Sequence, residues 1–167
     1  MTIDTLFGPE EAPAPKLRAI KLRTIKAVYQ TITVNDTITD YLKPNTRYTS
    51  ASQVFDTFSF LRHETKEHFI ALHLDGKNRI VCCDLVSTGS LNQSIVHPRE
   101  LFKTALLSSA AAVILLHNHP TGDPTPSTED LEVTRRLKDA GDLVGIRILD
   151  HIVIGDSYYS FAERGHI

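Results

Sequence analysis

The chain has 167 residues, of which 41% are hydrophobic and 23% charged, and its formal charge is −2. These values describe one globular domain with its own core and exclude wholesale disorder, collagen and coiled coil. A balance this close to neutral is not that of a protein that holds nucleic acid by bulk charge.

Residues 1–15 contain three prolines, three acids and no basic residue. They read as a flexible acidic tail, without the basic start or apolar run of a secretory signal. Residues 16–26, KLRAIKLRTIK, carry five basic residues and no acid. Either this is a solvated segment with apolar anchors or Lys16, Arg18, Lys21, Arg23 and Lys26 contact nucleic acid. Ala27 to Val34, rich in Val, Ile, Tyr and Thr, predicts a strand. The expected division is a tail over 1–25, a strand and connector over 26–47, and the main domain over 48–167.

Residues 50–62 space their apolar side chains as a helix, with Ser50 or Ser52 as cap. Phe69–Leu74 and Arg79–Val86 predict two strands, joined at the hairpin signal Asp75-Gly76. Pro98–Ser108 predicts a helix, with Pro98 in its first turn. Ala111–Leu116 is a continuous apolar run, as in a strand buried on both faces. A turn-rich loop over 120–126 leads to a helix over 127–140 that Gly141 would cap. Val144–Leu149 and His151–Ile154 predict two more strands. The mixture specifies an α/β or α+β sheet domain with helices packed on the sheet.

The longest apolar run, Ala110–Leu116, has seven residues, whereas a membrane helix needs about 20; a soluble protein is expected. Cys82 and Cys83 are adjacent and would point to opposite faces of a strand. Two such cysteines form no disulfide framework, so a reducing cytoplasm is the expected compartment.

The chemistry concentrates in HNHPTGDPTPSTED, residues 117–130. Residues i and i+2 of a strand share a face, so His117 and His119 aim two imidazoles at one point. Asp130 follows in the first turn of the next helix and can reach the same point. Two neutral imidazoles and one carboxylate make a catalytic Zn²⁺ set with a position left for water. Ser127-x-x-Asp130 also matches a helix-capping pattern, and the two roles are compatible.

His117-x-His119, seven residues, Ser127, two residues, Asp130 resembles the motif of the JAMM metalloproteases, or MPN domain. The full wording, with EHFIALHLD at 67–75, VHPRELFKTAL at 96–106 and DHIVIGDSYYSF at 150–161, resembles the RadC branch over about residues 48–167. The resemblance implies a mixed β-sheet flanked by helices, related to the cytidine deaminase fold. It implies zinc held by His117, His119 and Asp130, with Glu67 as the base that activates water and Glu64 as its competitor. Ser127 would donate to the developing oxyanion. The commonest RadC wording has Ser at the place of Thr121, a hydroxyl in either case. Longer RadC proteins carry an N-terminal helix-hairpin-helix domain. Residues 1–47 look too short and irregular for one, so the chain resembles the short form, which weakens an inference of DNA binding.

His97 and Arg99 either line the cleft or fix a helix start. His151 either supports a metal ligand or is a hydrogen-bonded core histidine. His63, His68 and His73 carry no partner pattern.

The function expected is zinc-dependent hydrolysis of a peptide or isopeptide bond in a peptide or protein substrate. The alternative is a binding module associated with DNA repair or mobile DNA, acting through the basic segment at 16–26. A metal-stabilised scaffold without turnover is a third reading, against which Glu67 and Ser127 argue. Deamination is disfavoured, because zinc deaminases use P-C-x-x-C and this chain has no C-x-x-C.

Overall fold

The computed structural model of the chain describes residues 28–30, 46–89 and 96–167. The acidic tail, the basic segment at 16–26 and most of the strand expected over 27–34 lie outside these residues. Val28–Gln30 are exposed and in irregular backbone rather than in a strand.

Helix α1 spans Ala51–Phe58, and the Ser50 side chain caps it by accepting from the Gln53 N–H. A 3-10 turn continues over Ser59–His63. Strand β1, Glu67–Leu74, and strand β2, Ile80–Gly89, follow. Helix α2 is Pro98–Leu107 and strand β3 is Ala112–Asn118. Helix α3 is Thr128–Val144, strand β4 is Arg147–Ile154 and strand β5 is Tyr158–Ser160. The sheet order is β2-β1-β3-β4-β5. Among the described strands only the β3–β4 pair is parallel, with α3 as its crossover. This is the expected mixed sheet with helices packed against it.

Each face of the sheet carries its own core. Phe69, Ala71, Val113 and Leu115 pack with Leu101 and Phe102 of α2 and with Val133 and Leu137 of α3. Ile70, Leu72, Ile114 and Leu116 pack on the other face with Val54 and Phe58 of α1. Strand β3 is central and buried along its whole length, which is why it reads as an unbroken apolar run. Its odd-numbered residues face α2 and α3, and that alternation carries His117 to the same face.

Three expectations are corrected. Helix α3 runs through Gly141, and Gly145, at φ 77°, is its cap. Gly141 is needed for close packing instead: a Cβ there would stand 2.5 Å from the Ile146 carbonyl oxygen and 3.2 Å from Phe102 Cζ. The two strands expected over 144–154 are one, because buried Asp150 is satisfied within the sheet and does not interrupt it. The hairpin expected at Asp75-Gly76 forms, and the left-handed residue of its turn is Asn78, φ 58°. Asp75 builds this turn by accepting from the N–H groups of Lys77 (2.8 Å) and Arg79 (3.0 Å). The 50–62 helix tightens to a 3-10 turn at Ser59. Strand β5 was not legible, being three residues long.

Among the described residues no helix is long and apolar enough to cross a membrane.

Candidate metal centre

The carboxyl ends of the parallel strands β3 and β4 meet the N-terminus of α3 at one end of the sheet. His117 ends the inward-facing row of β3, and its ring stacks on Phe69 at 6.0 Å. His119 follows one alternation later. Its Nε2 lies 3.0 Å from that of His117. Asp130 is fully buried in the first turn of α3, with Oδ1 3.2 Å from His117 Nε2 and Oδ2 3.4 Å from His119 Nε2. The three side chains anticipated from spacing are therefore brought together as a set that could hold a metal ion.

The two oxygens of Asp130 have different surroundings. Ser127 is the N-cap of α3. Its backbone N–H and its hydroxyl both donate to Asp130 Oδ2 at 2.7 Å, and its Oγ accepts from the Asp130 N–H at 3.1 Å. Oδ1 is buried and has no hydrogen-bond partner among the described residues, although His117 Nε2 is near it. A buried carboxylate oxygen left unpaired is costly, and two imidazole nitrogens at 3.0 Å repel unless a proton or cation lies between them. Tetrahedral zinc, with bonds of about 2.0–2.1 Å, sets its ligand atoms about 3.3 Å apart. His117 Nε2 lies 3.0 Å from His119 Nε2 and 3.2 Å from Asp130 Oδ1, spacings of that order, and one ligand atom from each of the three residues lies within 4.8 Å of the others.

The electrostatics follow from this closeness. Burial opposes ionisation of Asp130, but the closeness of the His117 and His119 imidazoles and the hydrogen bonds from Ser127 prevail and hold its carboxyl far below the usual carboxylate range. Burial also opposes a charge on His119. The Asp130 carboxylate, the Asp123 carbonyl and the charge of Glu67 outweigh it and raise the His119 pKa above the ordinary histidine value. The helix N-terminus adds its own preference for an anion at Asp130.

Glu67 opens β1. Phe69 pairs in register with His117, so Glu67, two residues before Phe69, falls on the same face and one step beyond, at the level of His119. Its charge reaches His119. Glu64, its competitor, pairs instead with His68 at 3.8 Å, and His68 bonds Thr88 of β2. Asn118, which sequence reasoning passed over, brackets Glu67. Its side chain accepts from the His68 N–H at 2.8 Å and donates to the Lys66 carbonyl at 3.0 Å. Its only sequence signal was its place between the two histidines.

Two glycines were also missed. His119 leads into a loop that lies against the β4–β5 turn. The Asp156 N–H donates to the Gly122 carbonyl at 2.7 Å, and the His119 N–H to the Ile154 carbonyl at 2.8 Å. A Cβ on Gly155 would stand 2.2 Å from the Gly122 oxygen. Gly122 itself sits at φ +84°. The spacing of such residues in sequence carries no sign of this contact.

A family model described as the RadC-like JAB domain matches residues 48–166. The chain belongs to the RadC family. A "UPF0758 protein" of Pelobacter propionicus is 65% identical over 121 residues, 71% of this chain and 53% of that protein. One from Geobacter sulfurreducens is 62% identical over the same length. One from Methanococcoides burtonii is 46% identical over 158 residues, 91% of this chain and 68% of the relative. The chain spans about half the length of the first of these relatives.

The other residues singled out fall elsewhere in this RadC domain. His97 occupies the N-cap position of α2 without a side-chain cap bond, and Arg99 lies 3.7 Å from Glu100. Cys82 and Cys83 are free and point to opposite faces of β2. His73, assigned nothing from sequence, is fully buried. Its Nδ1 lies 2.8 Å from Ser108 Oγ and 3.3 Å from Cys82 Sγ.

Proposed function

We propose that this RadC-family chain is a metal-dependent amide hydrolase that cleaves a peptide or isopeptide bond in a peptide or protein substrate. The observation that carries the reading is the buried Asp130 Oδ1, unpaired among the described residues and 3.2 Å from His117 Nε2, which itself lies 3.0 Å from His119 Nε2. His117, His119 and Asp130 would hold a zinc ion. When bound, zinc supplies Lewis acidity and lowers the pKa of water to about 7. Glu67 is the base: it takes the proton of the attacking water and returns it to the departing nitrogen as the carbon–nitrogen bond breaks. Ser127 donates its hydroxyl proton to the oxygen on which charge develops. Its backbone N–H, at 2.7 Å, keeps Asp130 Oδ2 in place when the hydroxyl turns away.

The test begins with metal content. The purified chain should carry about one zinc, as a single three-ligand site requires, and His119→Ala should lose it. Glu67→Gln should keep the metal and lose hydrolysis of a peptide or isopeptide library. Unchanged turnover in that variant would remove Glu67 from the mechanism, and a zinc-free wild-type chain would remove the hydrolase reading.

A further inference from the structure

His151 lies on β4, fully buried, behind His117. Its Nε2 is 2.8 Å from His117 Nδ1, and its Nδ1 is 2.6 Å from Thr134 Oγ1. Thr134 Oγ1 in turn donates to the main-chain carbonyl of Asp130 at 2.5 Å. The direction of every hydrogen bond in this chain follows from its far end. A carbonyl oxygen only accepts, so the single Thr134 proton goes to Asp130. Oγ1 must then accept from His151 Nδ1–H. The His151 ring bonds no carboxylate and lies between the rings of Phe69, at 5.3 Å, and Phe161, at 4.9 Å. An apolar enclosure of this kind favours the neutral ring. Its Nε2 is therefore an acceptor, and the proton between the two histidines belongs to His117 Nδ1. His117 Nε2 is left with a bare lone pair facing Asp130 Oδ1 and His119 Nε2.

We infer that Thr134 and His151 are positioning residues that fix His117 in the tautomer and orientation required to bind a metal ion through Nε2. The relay starts on the Asp130 carbonyl and ends beside the Asp130 carboxylate, so one helical turn of α3 supplies both a ligand and the anchor that orients another. His119 reaches the same state more simply, donating Nδ1–H to the Asp123 carbonyl at 2.8 Å. Metal ligands commonly depend on such outer hydrogen bonds, and losing one costs about 10- to 100-fold in affinity.

The inference rests on the metal reading of the site, and the experiment separates the two. Zn²⁺ affinity is measured by chelator competition for the full chain, Thr134→Val and Thr134→Ser. Histidine ring ¹⁵N spectra are recorded on the zinc-loaded proteins. Thr134→Val keeps the side-chain volume but removes the hydroxyl. It should bind zinc about 10- to 100-fold more weakly, while Thr134→Ser should stay near wild type in both zinc affinity and the unfolding midpoint of the metal-free protein. The wild-type spectrum should place the proton of His151 on Nδ1. Equal zinc affinity in wild type and Thr134→Val, or a His151 proton on Nε2, overturns the relay and leaves the metal site standing. A wild-type chain that binds no zinc overturns both.

Discussion

Gly155→Ala tests how tightly the loop carrying His119 is held. The new Cβ would stand 2.2 Å from the Gly122 carbonyl oxygen, 2.8 Å from its carbon and 2.9 Å from Pro124 N. All three are backbone atoms, so no flexible side chain can swing away. Cβ contacts below 3.0 Å essentially do not occur, so the two segments must part by at least 0.8 Å, the difference between 3.0 and 2.2 Å. That exceeds the tolerance of about 0.5 Å within which a functional constellation must be held. The parting would strain the Asp156–Gly122 and His119–Ile154 hydrogen bonds and displace the Asp123 carbonyl that orients His119. Overpacking of this kind costs about 1–3 kcal/mol, to be read as a lower urea midpoint of the metal-free protein. Zinc affinity should fall by about tenfold or more. Gly76→Ala is the control, since a Cβ there meets nothing within 4 Å; it should stay within about 0.5 kcal/mol of wild type. Wild-type stability and zinc affinity in Gly155→Ala would refute the claim that this contact places His119.

Asn118→Ala should leave zinc affinity near wild type and lower turnover, because the backbone on both sides of Glu67 loses its clamp; unaltered steady-state rates would sever Asn118 from Glu67. Asp150 is buried and accepts from Tyr48 Oη (3.2 Å), Ser160 Oγ (2.7 Å) and the N–H groups of His151 (2.7 Å) and Ala162 (3.0 Å). Asp150→Ala orphans these donors and should cost about 3 kcal/mol in denaturant unfolding; a loss below about 1 kcal/mol would contradict the network. Burial lowers the His73 pKa below the ordinary 6.5, with Asp84 opposing. The folded state then binds fewer protons than the unfolded one. Its contribution is complete above the unfolded value and is lost as pH falls from there towards the folded pKa. The His73 share should lower the urea midpoint between about pH 7.5 and about pH 5, against the opposite share of His119, whose pKa is raised, and His73→Gln should remove it; a pH dependence identical to wild type would exclude His73 as a source.

Much of this protein is determined by local pattern. The run from Ala111 to Leu116 specifies a strand buried on both faces because its side chains are apolar without alternation. The i, i+2 spacing of His117 and His119 specifies a shared face, and Ser127-x-x-Asp130 specifies a helix start, because strand and helix periods are fixed by backbone geometry. The cluster that could hold a metal ion was therefore legible, and the family wording added Glu67 as a candidate. What tertiary structure alone decided are contacts between segments distant in the chain. Thr134 is an ordinary helical threonine until β4 sets His151 against it. Gly155 is an ordinary turn residue until Gly122 is folded onto it. Gly141, which has the composition of a helix end, lies inside the helix because Phe102 and the Ile146 carbonyl crowd that side of α3. Periodicity says which way a side chain points, whereas only packing says what waits there, and hydrogen-bond direction and close approach depend on the second.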